Sequence, residues 1–141
     1  MVWVGSGEVY TLPLHRGVGL YSPANARVKV PAFDLSNATN STQLWVNADA
    51  HWGPPLPQGG CDETCAAYVL AELEDAEGKV IDGFDRWHFT PIMGQDSINL
   101  PLRWNNSTRL PLGHTNVTVK IWFRAAKVYA VYLGDSFDPG Y

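Results

Sequence analysis

Asn116-Val117-Thr118-Val119-Lys120-Ile121-Trp122-Phe123-Arg124 and, after Ala125-Ala126, Lys127-Val128-Tyr129-Ala130-Val131-Tyr132-Leu133 set the architecture of this chain. In the first segment every second residue is apolar, and β-branched and aromatic types fill both. A period of two is the spacing of a strand with one face buried, whereas a helix would repeat near 3.6. The two segments are expected to pair with each other across Ala125-Ala126. The same alternation recurs upstream in Glu8–Leu14, Arg27–Phe33, Thr42–Ala48 and Ser97–Trp104, with a short strand at Gly17–Tyr21. Pro101 has no N–H to donate, so its strand belongs at an edge or a bulge. Trp45, Trp104 and Trp122 are read as core residues of these strands. Ala66–Asp75 has enough Ala, Leu and Glu for a helix. Yet Asp75-Ala76-Glu77-Gly78-Lys79 reads as a hairpin turn with Gly78 at positive φ, so a strand is expected, returning through Val80-Ile81. About eight or nine strands with turn signals at short spacing predict an all-β fold, a single antiparallel β-sandwich of jelly-roll type.

Composition bounds the rest. One domain is expected over 141 residues, with residues 134–141 as a loose tail. The formal net charge is −4 and the ten basic residues are scattered, which excludes a nucleic-acid partner. No apolar run approaches the ~18 residues of a membrane span, so no membrane insertion is expected. Met1-Val2-Trp3-Val4-Gly5 lacks the features of a signal peptide.

Five sequons, at Asn37, Asn40, Asn105, Asn106 and Asn116, stand among eight Asn, where chance alone gives roughly one. Sequons mark exposed turns of proteins that pass through a eukaryotic secretory pathway, so a secreted or cell-surface location is expected. Cys61 and Cys65 flank three residues after Gly59-Gly60 and are expected to form a disulfide in that compartment. His15, His51, His88 and His114 form no close pair in sequence, which argues against zinc. A secreted chain without a leader reads as a fragment of a longer protein.

The run Ala71-Glu72-Leu73-Glu74-Asp75-Ala76-Glu77-Gly78-Lys79-Val80-Ile81-Asp82-Gly83-Phe84, then Gly94-Gln95-Asp96-Ser97-Ile98 and Pro101-Leu102-Arg103-Trp104, resembles the accessory β-sandwich domains C-terminal to the β-propeller of levanase/invertase-like and sialidase-like glycosidases. Val9–Arg16 with Gly19-Leu20-Tyr21, and the closing Val117–Tyr129, are similar too. The resemblance covers roughly Val9 to Leu133. It implies a non-catalytic module that packs on an upstream catalytic domain or a neighbouring chain and contacts carbohydrate. Asp85-Arg86-Trp87-His88-Phe89-Thr90 is more aromatic than the short acidic segment usual there, and the Cys61–Cys65 loop departs from the pattern.

Six Trp is a large number for this length. Sugars stack their C–H faces on aromatic rings while polar groups fix the hydroxyls. Trp52 lies in the Pro-rich stretch beside His51, and Trp87 and His88 follow Phe84, with Asp96 nearby in sequence. Trp52, Trp87, His88 and Asp96 are therefore the expected carbohydrate contacts. The sequons are expected to leave the Trp52 and Trp87 loops clear. No spacing singles out two carboxylates as a glycosidase pair, and no nucleophile elbow or phosphate loop is present. No cofactor is expected. A structural calcium ion would draw on Asp34, Asp49, Asp96, Asp135 and Asp138. Two other readings stay open: a structural or interaction module of an extracellular glycoprotein assembly, and, last, a stand-alone glycosidase.

Overall fold

The computed structural model describes residues 19–51 and 67–136. Among them the elements are β1 (Leu20–Ser22), β2 (Ala26–Asp34), β3 (Gln43–Asp49), β4 (Tyr68–Glu74), β5 (Asp96–Pro101), β6 (Asn116–Arg124) and β7 (Ala126–Gly134). They form two antiparallel sheets, one in the order β1-β7-β3-β5 and the other β2-β6-β4. The all-β sandwich is thus present. Among the described residues no helix is long and apolar enough to cross a membrane.

The alternation does what it predicts. Val117, Val119, Ile121 and Phe123 of β6 are buried, as are Val69, Ala71 and Leu73 of β4 and Leu44, Val46 and Ala48 of β3. These inner faces, with Leu102, Trp104 and Phe89, form one core, as two packed sheets require. β4 is a strand because a helix would scatter Val69, Ala71 and Leu73 around its circumference instead of aligning them on one face. Gly78 sits at φ 82° in the expected turn, closed by the Asp75 N–H to Lys79 carbonyl bond of 2.8 Å. The return is brief: Val80 makes a single bridge to Glu74, and the chain then leaves the sheet.

One expectation is overturned. β6 and β7 do not pair. β6 lies between β2 and β4, while β7 lies between β1 and β3. Ala125, at φ 47°, turns the chain from one sheet into the other, and its N–H donates to the Ser22 carbonyl at 2.7 Å. A two-residue hairpin normally places Gly, Asn or Asp at positive φ. Ala125-Ala126 lacks that chemistry, and the inward residues of the two strands face each other across the core rather than along a ladder.

The tryptophans are also redistributed. Trp104 is buried, but Trp45 and Trp122 are only partly so. Trp122 occupies the outward set of β6, one residue out of phase with Ile121 and Phe123. Pro101 ends β5, the outermost strand of its sheet, where a missing donor costs no ladder bond. Bulges in β7 and β5 flank Asn47. The one in β7 falls at Tyr129, where the register passes from Asn47–Ala130 to Ala48–Val128, and shifts the inward set from Ala126 and Val128 to Val131. Ordered structure reaches into the expected tail: Gly134 ends β7, and Asp135 Oδ1 accepts from Thr42 Oγ1 at 2.6 Å. Residues 137–141, the expected strand Glu8–Leu14, and Trp52, Cys61 and Cys65 lie outside the described residues.

Candidate functional site

Trp87 is 79% exposed, the most exposed large apolar side chain among the described residues. A short turn holds it out. Asp85 Oδ1 accepts the backbone N–H groups of Trp87 (2.8 Å) and His88 (3.0 Å), the local bonding that suits Asp to turns. The His88 ring closes on the same carboxylate, with Nδ1 at 2.9 Å from Oδ1 and 2.8 Å from Oδ2. Desolvation, the largest single influence on Asp85, raises its carboxyl. The His88 side-chain bond, the two backbone N–H groups and the attraction of His88 together outweigh it and hold the acid below the usual carboxylate range.

Both ends of this turn are anchored on Trp104. Its ring packs against Phe84, centroids 5.5 Å apart, and Phe89 at 5.2 Å. Its Nε1 donates to the Ala71 carbonyl of β4 at 3.1 Å. Trp104 opens a two-residue turn in which Asn105 and Asn106 take φ 52° and 59°. That is the left-handed pair of a tight hairpin, which Asn tolerates better than other side chains with a Cβ. The Asn105 N–H donates to the His88 carbonyl at 2.8 Å, and Asn106 Oδ1 accepts from Thr90 Oγ1 at 3.1 Å. The sequon pair therefore abuts the Trp87 turn instead of leaving it clear, because the Trp104–Ser107 turn packs against residues 88–90.

Behind Trp87 lies the outer face of the β2-β6-β4 sheet. Register aligns Lys29 and Glu72 on either side of Lys120, and Arg27 and Leu70 on either side of Trp122. Glu72 and Glu74 are buried and ion-paired: Lys120 Nζ lies 3.1 Å from Glu72 and 3.4 Å from Glu74, and Lys29 Nζ 2.9 Å from Glu74. A buried carboxylate is tolerated only with such partners. The Arg86 guanidinium sits 4.8 Å from the Trp87 ring centroid and 4.2 Å from that of Trp122, a cation between two indole rings. Trp122 Nε1 is buried with no hydrogen-bond partner among the described residues.

Asp96 belongs to a different group. It is the register partner of Asp49 where β3 ends and β5 begins. His51 Nδ1 bonds Asp49 Oδ1 and lies 4.0 Å from Asp96 Oδ2. The three ligand atoms fall within 4.8 Å of one another. Two carboxylates and an imidazole are donors that a divalent cation accepts, and among the described residues Asp49 and Asp96 are the acids considered for calcium that converge. Asp34 instead caps Ser36, Asp135 binds Thr42, and Asp138 lies outside the described residues. Sequence spacing hides this cluster, since His51 and Asp96 meet only through the β3–β5 pairing. Arg86 and Trp122 were missed as site residues for the same reason.

The structure thus joins Trp87 and His88 to Asp85, Arg86 and Trp122, and sets Asp96 with Asp49 and His51. Asn37, Asn40, Asn105, Asn106 and Asn116 are all exposed. No match to this chain is found among protein-family models, curated proteins or solved structures. The resemblance to glycosidase accessory domains rests on the residues quoted for it.

Proposed function

We propose that this sandwich is a non-catalytic accessory module of a secreted glycoside-active protein, and that it holds carbohydrate by stacking a sugar ring on Trp87. The observation that carries the reading is Trp87 itself, 79% exposed on a turn fixed by Asp85. Its backbone is fixed in the turn by the Asp85 carboxylate, so less freedom is lost when a pyranose covers the ring than on an unrestrained loop. His88 and Asp85 beside it offer polar groups for hydroxyls. The exposure of all five sequons supports a secretory location, and an upstream catalytic domain or neighbouring chain is the partner. The test is a polysaccharide pull-down with the folded chain, alongside Trp87→Ala and Trp52→Ala. Retention abolished by Trp87→Ala, with melting unchanged, supports the reading; a folded wild-type chain that no polysaccharide retains overturns it.

The contact between Asn105 and His88 favours a second reading, the glycoprotein assembly module. In it a glycan on Asn105 or Asn106 covers Trp87 within the same molecule, and Trp87 serves stability. Enzymatic deglycosylation would then lower the melting temperature of wild type and leave Trp87→Ala unaffected.

A further inference from the structure

We infer that the ligand of the Trp87 platform is an acidic carbohydrate, its carboxylate or sulfate held by Arg86 and Arg27. The inference rests on the reading that Trp87 stacks a sugar and goes on to name the chemical class of that sugar. Its starting point is the charge balance around Trp122. Three cationic heads surround this ring, Arg86 at 4.2 Å from the centroid, Lys120 at 5.1 Å and Arg27 at 5.4 Å. Glu72 and Glu74 are committed to Lys120 and Lys29. Among the described residues no carboxylate comes within ion-pair distance of Arg27 or Arg86. The surplus positive charge of this face is therefore carried by the two arginines, in a chain whose net charge is −4.

The geometry of stacking gives that surplus a use. A guanidinium lying on an indole spends its flat face and keeps its N–H edge free. That edge is the fork that matches a carboxylate or sulfate in two parallel hydrogen bonds. Arg86 lies within 4.8 Å of the Trp87 centroid and 4.2 Å of the Trp122 centroid, so its head is already confined and less side-chain entropy remains to be lost on binding. It is also next to the ring on which the sugar would lie. A pyranose stacked on Trp87 with an anionic substituent at its edge meets both elements at once. A neutral sugar uses only the ring. Asp85 in the same turn and the acidic chain elsewhere oppose a polyanion, so the interaction depends on these two arginines and weakens as salt rises.

The experiment is calorimetric titration of the full chain with polygalacturonate, its fully methyl-esterified form, heparin and dextran. The ester keeps the sugar and removes the charge. Polygalacturonate or heparin is expected to bind at least tenfold tighter than the ester and dextran. Arg86→Gln and Arg27→Gln should each reduce that preference, and Arg86→Lys, which keeps the charge but not the fork, should fall between. Arg109→Gln is the control for net charge, and thermal melting checks that each variant folds. Preference for polygalacturonate assigns the carboxylate as the bound group; preference for heparin, which carries uronate carboxylates beside its sulfates, shows that sulfate adds to the carboxylate contact. Equal binding of acid and ester, or an Arg109→Gln loss as large as that of Arg86→Gln, overturns the inference and leaves the Trp87 platform standing. Failure of all four polymers to bind overturns both.

Discussion

Replacing Trp104 by Phe removes one hydrogen bond and part of one ring from the place where fold and site meet. Trp104 is 2% exposed and Ala71, whose carbonyl its Nε1 bonds, is fully buried. Phenylalanine cannot donate, so that carbonyl is left without its partner, at a cost of about 1–3 kcal/mol. The lost ring area adds roughly 1 kcal/mol at ~25 cal/mol per Å². The expected destabilisation is about 2–4 kcal/mol, a fall of roughly 5–15 °C in Tm for a domain of this size. Urea denaturation followed by far-ultraviolet circular dichroism measures it, with an unchanged m-value showing that the variant remains two-state. Because Phe84 and Phe89 both rest on Trp104, the His88 and Asn105 amides should also exchange faster than in wild type. A change below ~0.5 kcal/mol would show that the Ala71 carbonyl is satisfied without the indole, and that the Trp87 turn is anchored elsewhere.

Three further outcomes follow from the same geometry. Ala125→Gly should stabilise by about 0.5–1 kcal/mol, since glycine relieves the left-handed strain at φ 47° while adding freedom to the unfolded chain; a loss of stability in thermal melts would refute that strain. The Asp85 acid is held low in the folded state, so its contribution is complete above the unfolded value near pH 4 and is lost as pH falls through the lower folded value. Asp34, held low by the Ser36 backbone and then its side chain, acts in the same direction. Stability measured against pH should decline below about pH 4, and less steeply in Asp85→Asn; identical acid limbs would count against the Asp85 hydrogen bonds. Expressed in a glycosylating host, the chain should carry glycans removed by endoglycosidase, and Asn37→Gln, Asn40→Gln and Asn116→Gln should each reduce the mass by one glycan where that site is occupied. An unmodified secreted chain would contradict the sequon reading.

Much of the fold was legible because burial imposes a period on sequence. β6 could be read residue by residue, since Val117, Val119, Ile121 and Phe123 share one face and nothing else explains their spacing. β4 was legible against its helix propensity for the same reason. Which strand lies beside which was not legible. Alternation records an inside and an outside, and two strands on opposite sheets of a sandwich carry the same pattern as two strands in a hairpin. The pairing of β6 with β7 failed there, and Ala125, with no turn chemistry of its own, was the available hint. Trp122 failed for a related cause: alternation in β6 put it out of phase with Ile121, yet it was read as core with the other strand tryptophans. Trp87 was legible as a candidate because turn residues surround it, whereas Arg86 became interesting only when β6 brought Trp122 underneath it.

β6 and β7 are also the strands on which nearly every pairing depends. β2 and β4 bond to β6, and β1 and β3 bond to β7; β3 with β5 is the one strand pairing among the described residues that needs neither. As the polypeptide is synthesised, β1 to β4 therefore emerge well before their partners exist. The edges of β1, β2 and β4, and the β7-facing edge of β3, must wait for the last strands, in the condition that most favours association with other chains. Closure then requires contacts between residues far apart in sequence, which slows folding relative to local topologies. In β2, Arg27 and Lys29, with Pro31 where the register shifts, supply the charge and the missing donor that keep a waiting strand from being captured. On this account two residues that dress the outer face of the finished sheet serve first as guards during its assembly.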